Sequence, residues 1–413
     1  MNLTVTKLIP VDQLEYEVVE RKGLGHPDTL ADGIAESISV EYSRYCLSNF
    51  GVILHHNVDK IAIIGGECEI RYGQGRLLKP FTVILNGRMS KCLGKKRIDI
   101  EEIQIGATTK YLQKILPSLR IEKETKVISL VSSSSRNPFW FRPRSIKDLP
   151  ELQNPFANDT SIAVGFWPLS TMERIVLLCE RFFYKDFETL TSRFKYVGRD
   201  IKVMGIRRKK KAELVLCVPF FAEEIPNRTV YFEYKNYIQT ALLEYLNENF
   251  GDKIEISLSI NTQDQKIRTK RDALGRYLTV TGTALDYGEE GVTGRGNRCR
   301  GLISGLRPSG VEAIYGKNPV YHVGKIYSYI ANKIAKRIAV ELECETNVVI
   351  VTRNGDPLFS PRHILIQLST MREKKVIQKI IKECLEEPSI SKKIVEGKIF
   401  LPITELGYEE KEI

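Results

Sequence analysis

Residues 286–325 concentrate the groups that could hold a phosphate chain and a metal ion. They read DYGEEGVTGRGNRCRGLISGLRPSGVEAIYGKNPVYHVGK and contain 9 of the 29 glycines, 6 Lys or Arg and 4 acids. Glycine lets a backbone approach another group closely, and arginine forks bind phosphate oxygens in pairs. Short acidic runs can hold a hard cation. The segment therefore predicts a polyphosphate and metal site, with a solvated surface loop as the alternative.

A second segment, ERKGLGHPD at residues 20–28, has the character of a helix start that binds an anion. Its two glycines permit a tight turn, and Pro27 suits the first position of a helix. Unpaired amides at such a start, together with Lys22 and His26, would form an anion pocket. Asp28 could hold a cation against that anion. The alternative is an ordinary helix entry, in which His26 is a turn residue.

Length and composition limit the class of protein. A chain of 413 residues predicts two or three domains, and 42% hydrophobic with 27% charged residues is ordinary for a globular protein. The first residues carry acids and lack an apolar signal core, and the 8 cysteines are scattered without a CxxC pair or zinc spacing. We expect a cytoplasmic protein with reduced cysteines and no membrane span.

The net charge of +11 leaves nucleic acid open as a partner. The densest basic run, residues 207–211, lies between two strand-like stretches and has no interleaved aromatic residues. We interpret it as a solvated hairpin turn.

Helical and strand-like segments alternate irregularly along the chain. Hydrophobic periodicity predicts helices at residues 28–48, 169–184, 228–249, 323–342 and 374–386. Strand-like runs occur at residues 60–64, 81–85, 126–131, 161–166, 254–260, 277–283, 347–352 and 363–368. Residues 132–155 have the composition of a loop. Because the order is not a strict β–α alternation, we predict an α+β fold with mixed sheets.

An ordered series of motifs makes the signal specific. The chain contains ERKGLGHPDT, LHHNVDK, GGE, NDTS, DIKVMG, GVTGRGNR and GKNPVYHVGKIY, in that order. The series resembles the S-adenosylmethionine synthetase (methionine adenosyltransferase) family, in its archaeal-type branch, over about residues 15–370. The resemblance implies three α+β domains of similar β/α topology, interleaved in sequence. The contiguous regions are 1–131, 132–285 and 286–413.

The resemblance also implies a reaction and its partners. The sulfur of L-methionine attacks the ribose 5′ carbon of ATP, and the released tripolyphosphate is hydrolysed to pyrophosphate and phosphate. Mg²⁺ is expected, and dependence on K⁺ is left open. A homodimer with shared active sites is implied, with a tetramer as a further option.

Site residues follow from the motif positions. The resemblance implies catalytic roles for His26, Lys202, Arg295 and Lys317. It implies metal binding by Asp28 and Glu289. It implies substrate contacts from Lys22, Glu67, Asp159, Arg298 and Lys325.

Several positions depart from the family pattern. Gly296 stands where the bacterial branch has a lysine, which Arg298 could replace, and Glu289 stands for an Asp. Gly324 stands for a metal-binding acid, for which Asp286 or Glu290 could compensate. Tyr321 and Ser328 stand where Asn is expected. These changes keep one alternative open, a catalytically silent relative with a regulatory role. The net charge of +11 and the basic run at residues 207–211 keep a second one open, a nucleic-acid-binding protein.

Overall fold

The computed structural model describes residues 2–149, 152, 155–266 and 272–406. Within them the helices are α1 (Pro27–Phe50), α2 (Ile100–Ile115), α3 (Ile121–Glu124), α4 (Thr171–Arg181), α5 (Arg228–Phe250), α6 (Val323–Leu342), α7 (Lys374–Leu385), α8 (Ile390–Gly397) and α9 (Pro402–Leu406).

The strands of the described part of the chain are β1 (Asn2–Lys7), β2 (Tyr16–Lys22), β3 (His56–Asn57), β4 (Ala62–Ile64), β5 (Glu67–Arg71), β6 (Gln74–Lys79), β7 (Phe81–Leu85), β8 (Arg88–Met89), β9 (Cys92–Leu93), β10 (Lys96–Arg97), β11 (Thr125–Ser129), β12 (Ile162–Trp167), β13 (Tyr184–Asp186), β14 (Thr191–Ser192), β15 (Lys202–Arg208), β16 (Lys211–Cys217), β17 (Phe220–Phe221), β18 (Glu255–Ile260), β19 (Leu278–Thr279), β20 (Gly291–Val292), β21 (Ile303–Ser304), β22 (Thr346–Val351) and β23 (His363–Leu368).

Three main sheets share one pattern of strand directions. Their orders are β1-β23-β22-β12, β11-β7-β4-β20 and β18-β16-β15-β2-β21. In each sheet the first pair is parallel and the following pairs are antiparallel. Each sheet collects strands from distant parts of the chain. The α+β class with mixed, interleaved sheets is therefore confirmed, while the three contiguous regions stay a prediction.

Two helices of this fold begin with the same histidine cap. His26 precedes α1, and its Nδ1 accepts a hydrogen bond from the Asp28 amide at 3.2 Å. His322 precedes α6, and its Nδ1 accepts from the Gly324 amide at 3.2 Å. The first turn of a helix has amides without helical partners, and each ring satisfies one of them. The histidines of the GHPD and GKNPVYHVGKIY motifs thus occupy equivalent structural positions.

The five expected helices are confirmed, with ends shifted by a few residues. Helix α2 was not expected; it begins after Asp99, whose carboxylate accepts from the Glu102 amide at 3.0 Å. The strand expected at residues 277–283 is largely wrong, because only Leu278–Thr279 is a strand. The Val280 and Thr281 amides instead donate to the Asp286 carboxylate at 2.6 and 3.0 Å.

The basic run forms the expected hairpin between β15 and β16, but it is not fully solvated. Arg207 is buried, donating to Glu17 at 3.2 Å and to the Val11 carbonyl at 2.8 Å. Period-2 alternation explains this position, since Arg207 lies on the face of β15 that points into the protein. Lys209 and Lys211 lie 3.8 and 3.4 Å from glutamates.

Candidate active site

A close contact between two loops sets the DIK motif beside the start of α1. The Gly25 amide donates to the Arg199 carbonyl at 2.8 Å, and the Gly23 amide donates to the Ile201 carbonyl at 2.7 Å. A Cβ atom at Gly25 would lie 2.6 Å from the Arg199 carbonyl carbon. Only glycine permits this approach, which places Lys202 of the DIK motif next to His26, the N-cap of α1.

The two motifs open onto one cavity of about 430 Å³, which we call the central cavity. Three residues expected at the site line it: His26, Lys202 and Glu289. Asp200 and Tyr277 line it as well. Segments around residues 26, 200 and 289 of the sequence thus meet at one concave surface, as binding sites require.

The imidazole of His26 is a neutral hydrogen-bond donor. Burial lowers its pKa to about 4; Asp28 opposes this shift, whereas Lys22 and Lys202 add to it. Because Nδ1 accepts from the Asp28 amide, the proton of the neutral ring is on Nε2. The ring can therefore donate to an oxygen without carrying a charge.

Asp200 is a cavity residue that the sequence analysis did not single out. Burial raises its pKa to about 7, although the Ala284 amide and the Tyr277 hydroxyl hydrogen-bond to it. Glu289 across the cavity raises this pKa further. A carboxyl that titrates near neutral pH in a cavity is a candidate functional group. The sequence signal that could have identified Asp200 was its position as the first residue of the DIK motif.

Lys22 and Asp28 form an ion pair at the edge of the glycine-rich segment. Their Nζ and Oδ2 atoms are 2.7 Å apart, and Nζ also donates to the Arg295 carbonyl at 2.7 Å. The other Asp28 oxygen accepts from the Val292 amide at 3.0 Å. Asn297 fixes the Lys22 backbone through two hydrogen bonds of 2.9 and 2.7 Å. The two motifs predicted to bind phosphate therefore lie against each other.

Steric crowding by Asp32 favours glycine at position 296. A Cβ atom there would lie 2.1 Å from Asp32 Oδ2, whose partner oxygen accepts from the Gly294 amide at 2.7 Å. A side chain at position 296 would require the Asp32 carboxylate to move. Arg295 is exposed, and Arg298 borders a separate small cavity of about 30 Å³ with Asn297. Replacement of the lysine by Arg298 stays a prediction.

Lys325 is deeply buried in an ion pair with Glu36. Its Nζ lies 2.6 and 2.8 Å from the two carboxylate oxygens, and both side chains are 1% exposed. Burial lowers the pKa of Lys325, and Glu36 opposes that shift. Glu36 also accepts from the Gly316 amide at 3.0 Å. In this structure Lys325 supports the GKNP turn rather than presenting an accessible cation; its expected substrate contact stays a prediction.

Lys317 is a buried cation held by acids from other segments. Its side chain is 1% exposed, it contacts the Glu312 carboxylate, and it lies 3.9 Å from Asp59. Burial lowers the pKa of Lys317 to about 8, against the attraction of Asp59 and Asp159. Glu312 was missed by the sequence analysis, since it comes from an irregular stretch with no motif.

Glu312 also explains how the chain tolerates Gly324. A Cβ atom at Gly324 would lie 2.9 Å from Glu312 Cγ and 3.3 Å from Lys317 Nζ. The space for an acid at position 324 is therefore filled by an acid from residue 312. The Asp286 carboxylate is fully buried and accepts from Val280 and Thr281; compensation by Asp286 or Glu290 stays a prediction.

Glu67 and Asp159, two acids expected to contact substrate, are exposed. Glu67 begins β5 and contacts Lys79. Its GGE segment packs against the Glu289 region, since the Gly66 amide donates to the Leu285 carbonyl at 2.8 Å. Asp159 is near enough to Lys317 to raise its pKa.

The remaining departures are accommodated by packing. Tyr321 is buried and its ring centroid lies 4.6 Å from that of His55. Ser328 donates to the Gly324 carbonyl at 2.6 Å within α6. Neither residue lines the central cavity. Both positions can therefore differ from Asn without altering the surface that contains His26 and Lys202.

Comparisons with known proteins now decide the family. The profile of S-adenosylmethionine synthetase (AdoMet synthetase) matches residues 1–398. The chain belongs to the S-adenosylmethionine synthetase family. The expected enzyme class, a methionine adenosyltransferase, is thereby confirmed. The archaeal-type resemblance is confirmed by S-adenosylmethionine synthases from three archaea.

Those relatives are 35–38% identical over most of the chain. The S-adenosylmethionine synthase of Thermoplasma volcanium is 38% identical over 410 residues, covering 96% of this chain and 98% of the relative. That of Methanocaldococcus jannaschii is 37% identical over 420 residues, covering 96% and 99%. An uncharacterized protein of Streptococcus pyogenes is 38% identical over 385 residues, covering 92% and 93%.

A solved structure shares the fold. The unusual S-adenosylmethionine synthetase from Campylobacter jejuni has a TM-score of 0.56 and 13% identity, with coverage of 96% of this chain and 98% of that chain. Of the helices in the described part of this chain, none is long and apolar enough to cross a membrane.

Proposed function

We propose that this family member forms S-adenosylmethionine from ATP and L-methionine. A sulfur lone pair attacks the ribose 5′ carbon, the bond from that carbon to the triphosphate oxygen breaks, and the sulfonium product keeps the adenosyl group. Water then cleaves the tripolyphosphate to pyrophosphate and phosphate. The observation that carries the proposal is the shared cavity of His26, Lys202 and Glu289.

Stabilising the leaving group is the main task of the site, because a thioether is a modest nucleophile. The neutral His26 ring would donate from Nε2 to the oxygen that bridges ribose and triphosphate. Lys202, Arg295 and Lys317 would face the phosphate oxygens. One cation 4 Å from a phosphate oxygen contributes about 4 kcal/mol at an effective dielectric near 20, before desolvation and screening.

The carboxylates present suit a magnesium ion that arrives with its phosphates. Members of this family generally depend on a metal ion. The described residues contain no group of three or more His, Cys, Asp or Glu that could hold one. Mg²⁺ typically takes one or two carboxylates together with substrate phosphates. Asp28 and Glu289 would hold it here, and it would neutralise charge on the triphosphate.

Asp28 must change partner for this to happen, because one of its oxygens is 2.7 Å from Lys22 Nζ. A phosphate entering the helix start would attract Lys22 and leave this oxygen for the metal. Lys22 therefore has two roles. It pairs with Asp28 when substrate is absent, and it contacts phosphate when substrate is bound.

The cytoplasmic location and the assembly are part of the same proposal. A homodimer that shares active sites would bring the Lys317 group of one subunit beside the central cavity of the other, where the phosphate chain would draw Lys317 away from Glu312. Symmetric pairs of this kind use the same surface on both subunits. A tetramer of two such dimers stays open.

The decisive experiment is turnover by the purified protein. Incubation with ATP, methionine and Mg²⁺ should give a sulfonium product, read by its mass, and one pyrophosphate per product. A folded protein that gives neither product would instead be the silent regulatory relative. Nucleic acid binding with a steep dependence on salt at physiological ionic strength would favour the other alternative.

A further inference from the structure

A strongly basic surface lies outside the central cavity. Residues 88–97 and 136–147 together hold 9 Lys or Arg and no Asp or Glu. All nine of these residues are exposed, and none of them lines the described part of the central cavity. We call them the basic surface; its members are Arg88, Lys91, Lys95, Lys96, Arg97, Arg136, Arg142, Arg144 and Lys147.

Backbone hydrogen bonds hold the two basic segments side by side. The Met89 amide donates to the Ser132 carbonyl at 2.9 Å, at the start of the loop that carries the second segment. The Gly94 amide donates to the Pro143 carbonyl at 2.8 Å. The charges of the two segments are therefore brought to one region of the protein by the fold.

The acids nearest in sequence to the basic surface do not neutralise it. Asp99 caps α2 and accepts from the Glu102 amide at 3.0 Å. Asp148 pairs with Arg144 at 2.9 Å. Nine cations beside two acids attract counterions, and a polyanion that releases those counterions binds favourably. The charge therefore favours a polyanion as the partner of this surface.

Aromatic rings lie among these cations, in contrast to the basic run at residues 207–211. The guanidinium of Arg144 lies 3.7 Å from the ring centroid of Phe139, and that of Arg88 lies 5.1 Å from the ring centroid of Phe141. Phe139 is 36% exposed, and the side chain of Arg144 is 67% exposed. Rings and guanidinium planes that reach solvent can stack on unpaired bases, while neighbouring cations contact the phosphates.

The local structure of the basic surface favours a single strand over a membrane or a duplex. The first segment contains only the two-residue strands β8, β9 and β10, and the described part of the second contains no α-helix. Binding at a membrane surface typically uses an amphipathic helix. The bases of a duplex are already stacked and paired, so a single strand can offer its bases to Phe139 at less cost.

We propose that the basic surface binds single-stranded nucleic acid. Phosphates contact the cations of residues 88–97 and 136–147, and a base stacks on the pair of Phe139 and Arg144. This is a second function beside the proposed transferase reaction. It does not rest on that reaction, because none of these residues belongs to the proposed active site.

Fluorescence anisotropy with two labelled strands of the same charge tests the proposal. Oligouridylate of about 12 nucleotides should bind saturably at physiological salt, with an affinity that falls steeply as salt rises. An abasic strand of the same length keeps the phosphates but lacks the bases, and it should bind about tenfold more weakly. Equal affinity for the two strands, or no saturable binding, would overturn the proposal.

Two triple variants with the same loss of charge locate the binding surface. Replacing Lys95, Lys96 and Arg97 by glutamine should weaken oligouridylate binding about 50-fold at about 0.15 M salt, because each lost phosphate contact removes about 0.7 from the slope of log affinity against log salt. The matched control replaces Lys209, Lys210 and Lys211, on the exposed hairpin without aromatic rings, by glutamine. It should change the affinity less than about threefold, and equal effects of the two variants would overturn the assignment.

Phe139→Ala tests the stacking contact by itself. Asp148 holds Arg144 through hydrogen bonds of 2.7, 3.1 and 2.9 Å that do not involve the ring, so the variant keeps the cation in place. Oligouridylate should bind about tenfold more weakly to this variant, and the abasic strand should bind unchanged. An equal loss for both strands would contradict base stacking. If the variant does not fold, the preference of the wild-type protein for the strand with bases still decides.

Competition separates the basic surface from the central cavity. Saturating tripolyphosphate with Mg²⁺, at constant ionic strength, should leave oligouridylate binding unchanged, and displacement would place the strand in the central cavity and overturn the proposal. Adsorption to phosphatidylserine vesicles without oligouridylate binding would identify a membrane surface instead and overturn it as well. Oligouridylate binding without turnover would support this proposal and refute the proposed reaction.

Discussion

Replacing Lys202 by alanine tests the electrostatic account of the leaving group. The side chain of Lys202 is 41% exposed and lies 3.1 Å from Glu20. A full interaction with a phosphate oxygen would contribute about 4 kcal/mol, and solvent at this exposure reduces it to about 2 kcal/mol. We therefore expect kcat/KM for ATP to fall about 30-fold. If the contact strengthens as negative charge develops on the triphosphate in the transition state, the loss should appear in kcat.

The measurement is the initial rate of pyrophosphate release at subsaturating ATP, with folding checked by circular dichroism. Lys209→Ala is the matched control, because Lys209 lies on the same hairpin with its side chain 74% exposed and 3.8 Å from Glu15. It should change kcat/KM less than twofold. A Lys202→Ala enzyme within threefold of the wild type would refute the assignment of Lys202 to the phosphate chain.

Three other predictions address the metal, the buried acid and the assembly. Asp28→Asn should shift the Mg²⁺ titration of activity to higher concentration, and an unchanged titration removes Asp28 as a ligand. Asp200 has a pKa raised from 3.8 to about 7, so the folded state binds more protons and loses stability as pH rises between these values. Relative to Asp200→Asn, the wild-type free energy of unfolding should therefore drop by about 2–4 kcal/mol from pH 4 to pH 8 in denaturant titrations, and a constant difference would contradict the burial argument. A randomly reassorted equimolar mixture of Lys202→Ala and Lys317→Ala subunits should recover about a quarter of wild-type activity if each site draws one lysine from each subunit, because about half of the dimers are mixed and each of these has one intact site; no recovery contradicts shared sites.

The parts of the site that lie in short sequence motifs could be predicted from the sequence. His26 and Lys202 could be paired because each belongs to a motif with its own chemistry, and the structure places both in one cavity. Gly25 indicated a tight turn, and the structure shows that it also permits a close approach to Arg199.

Residues that act through tertiary contacts could not be found in this way. Glu312 lies in an irregular stretch, and only folding brings it to Lys317. The burial of Arg207 could not be predicted, because a run of five cations suggests a solvated turn. Period-2 alternation along β15 instead directs the Arg207 side chain into the protein. The strand expected at residues 277–283 failed because a side chain, Asp286, took the backbone donors.

The proposed phosphate clamp can be tested by calorimetry of inorganic tripolyphosphate binding to the resting enzyme with Mg²⁺ present. We expect saturable binding to the wild-type protein that becomes about tenfold or more weaker in each of Lys202→Ala, Arg295→Ala and Lys317→Ala. Unchanged affinity in all three folded variants would contradict it.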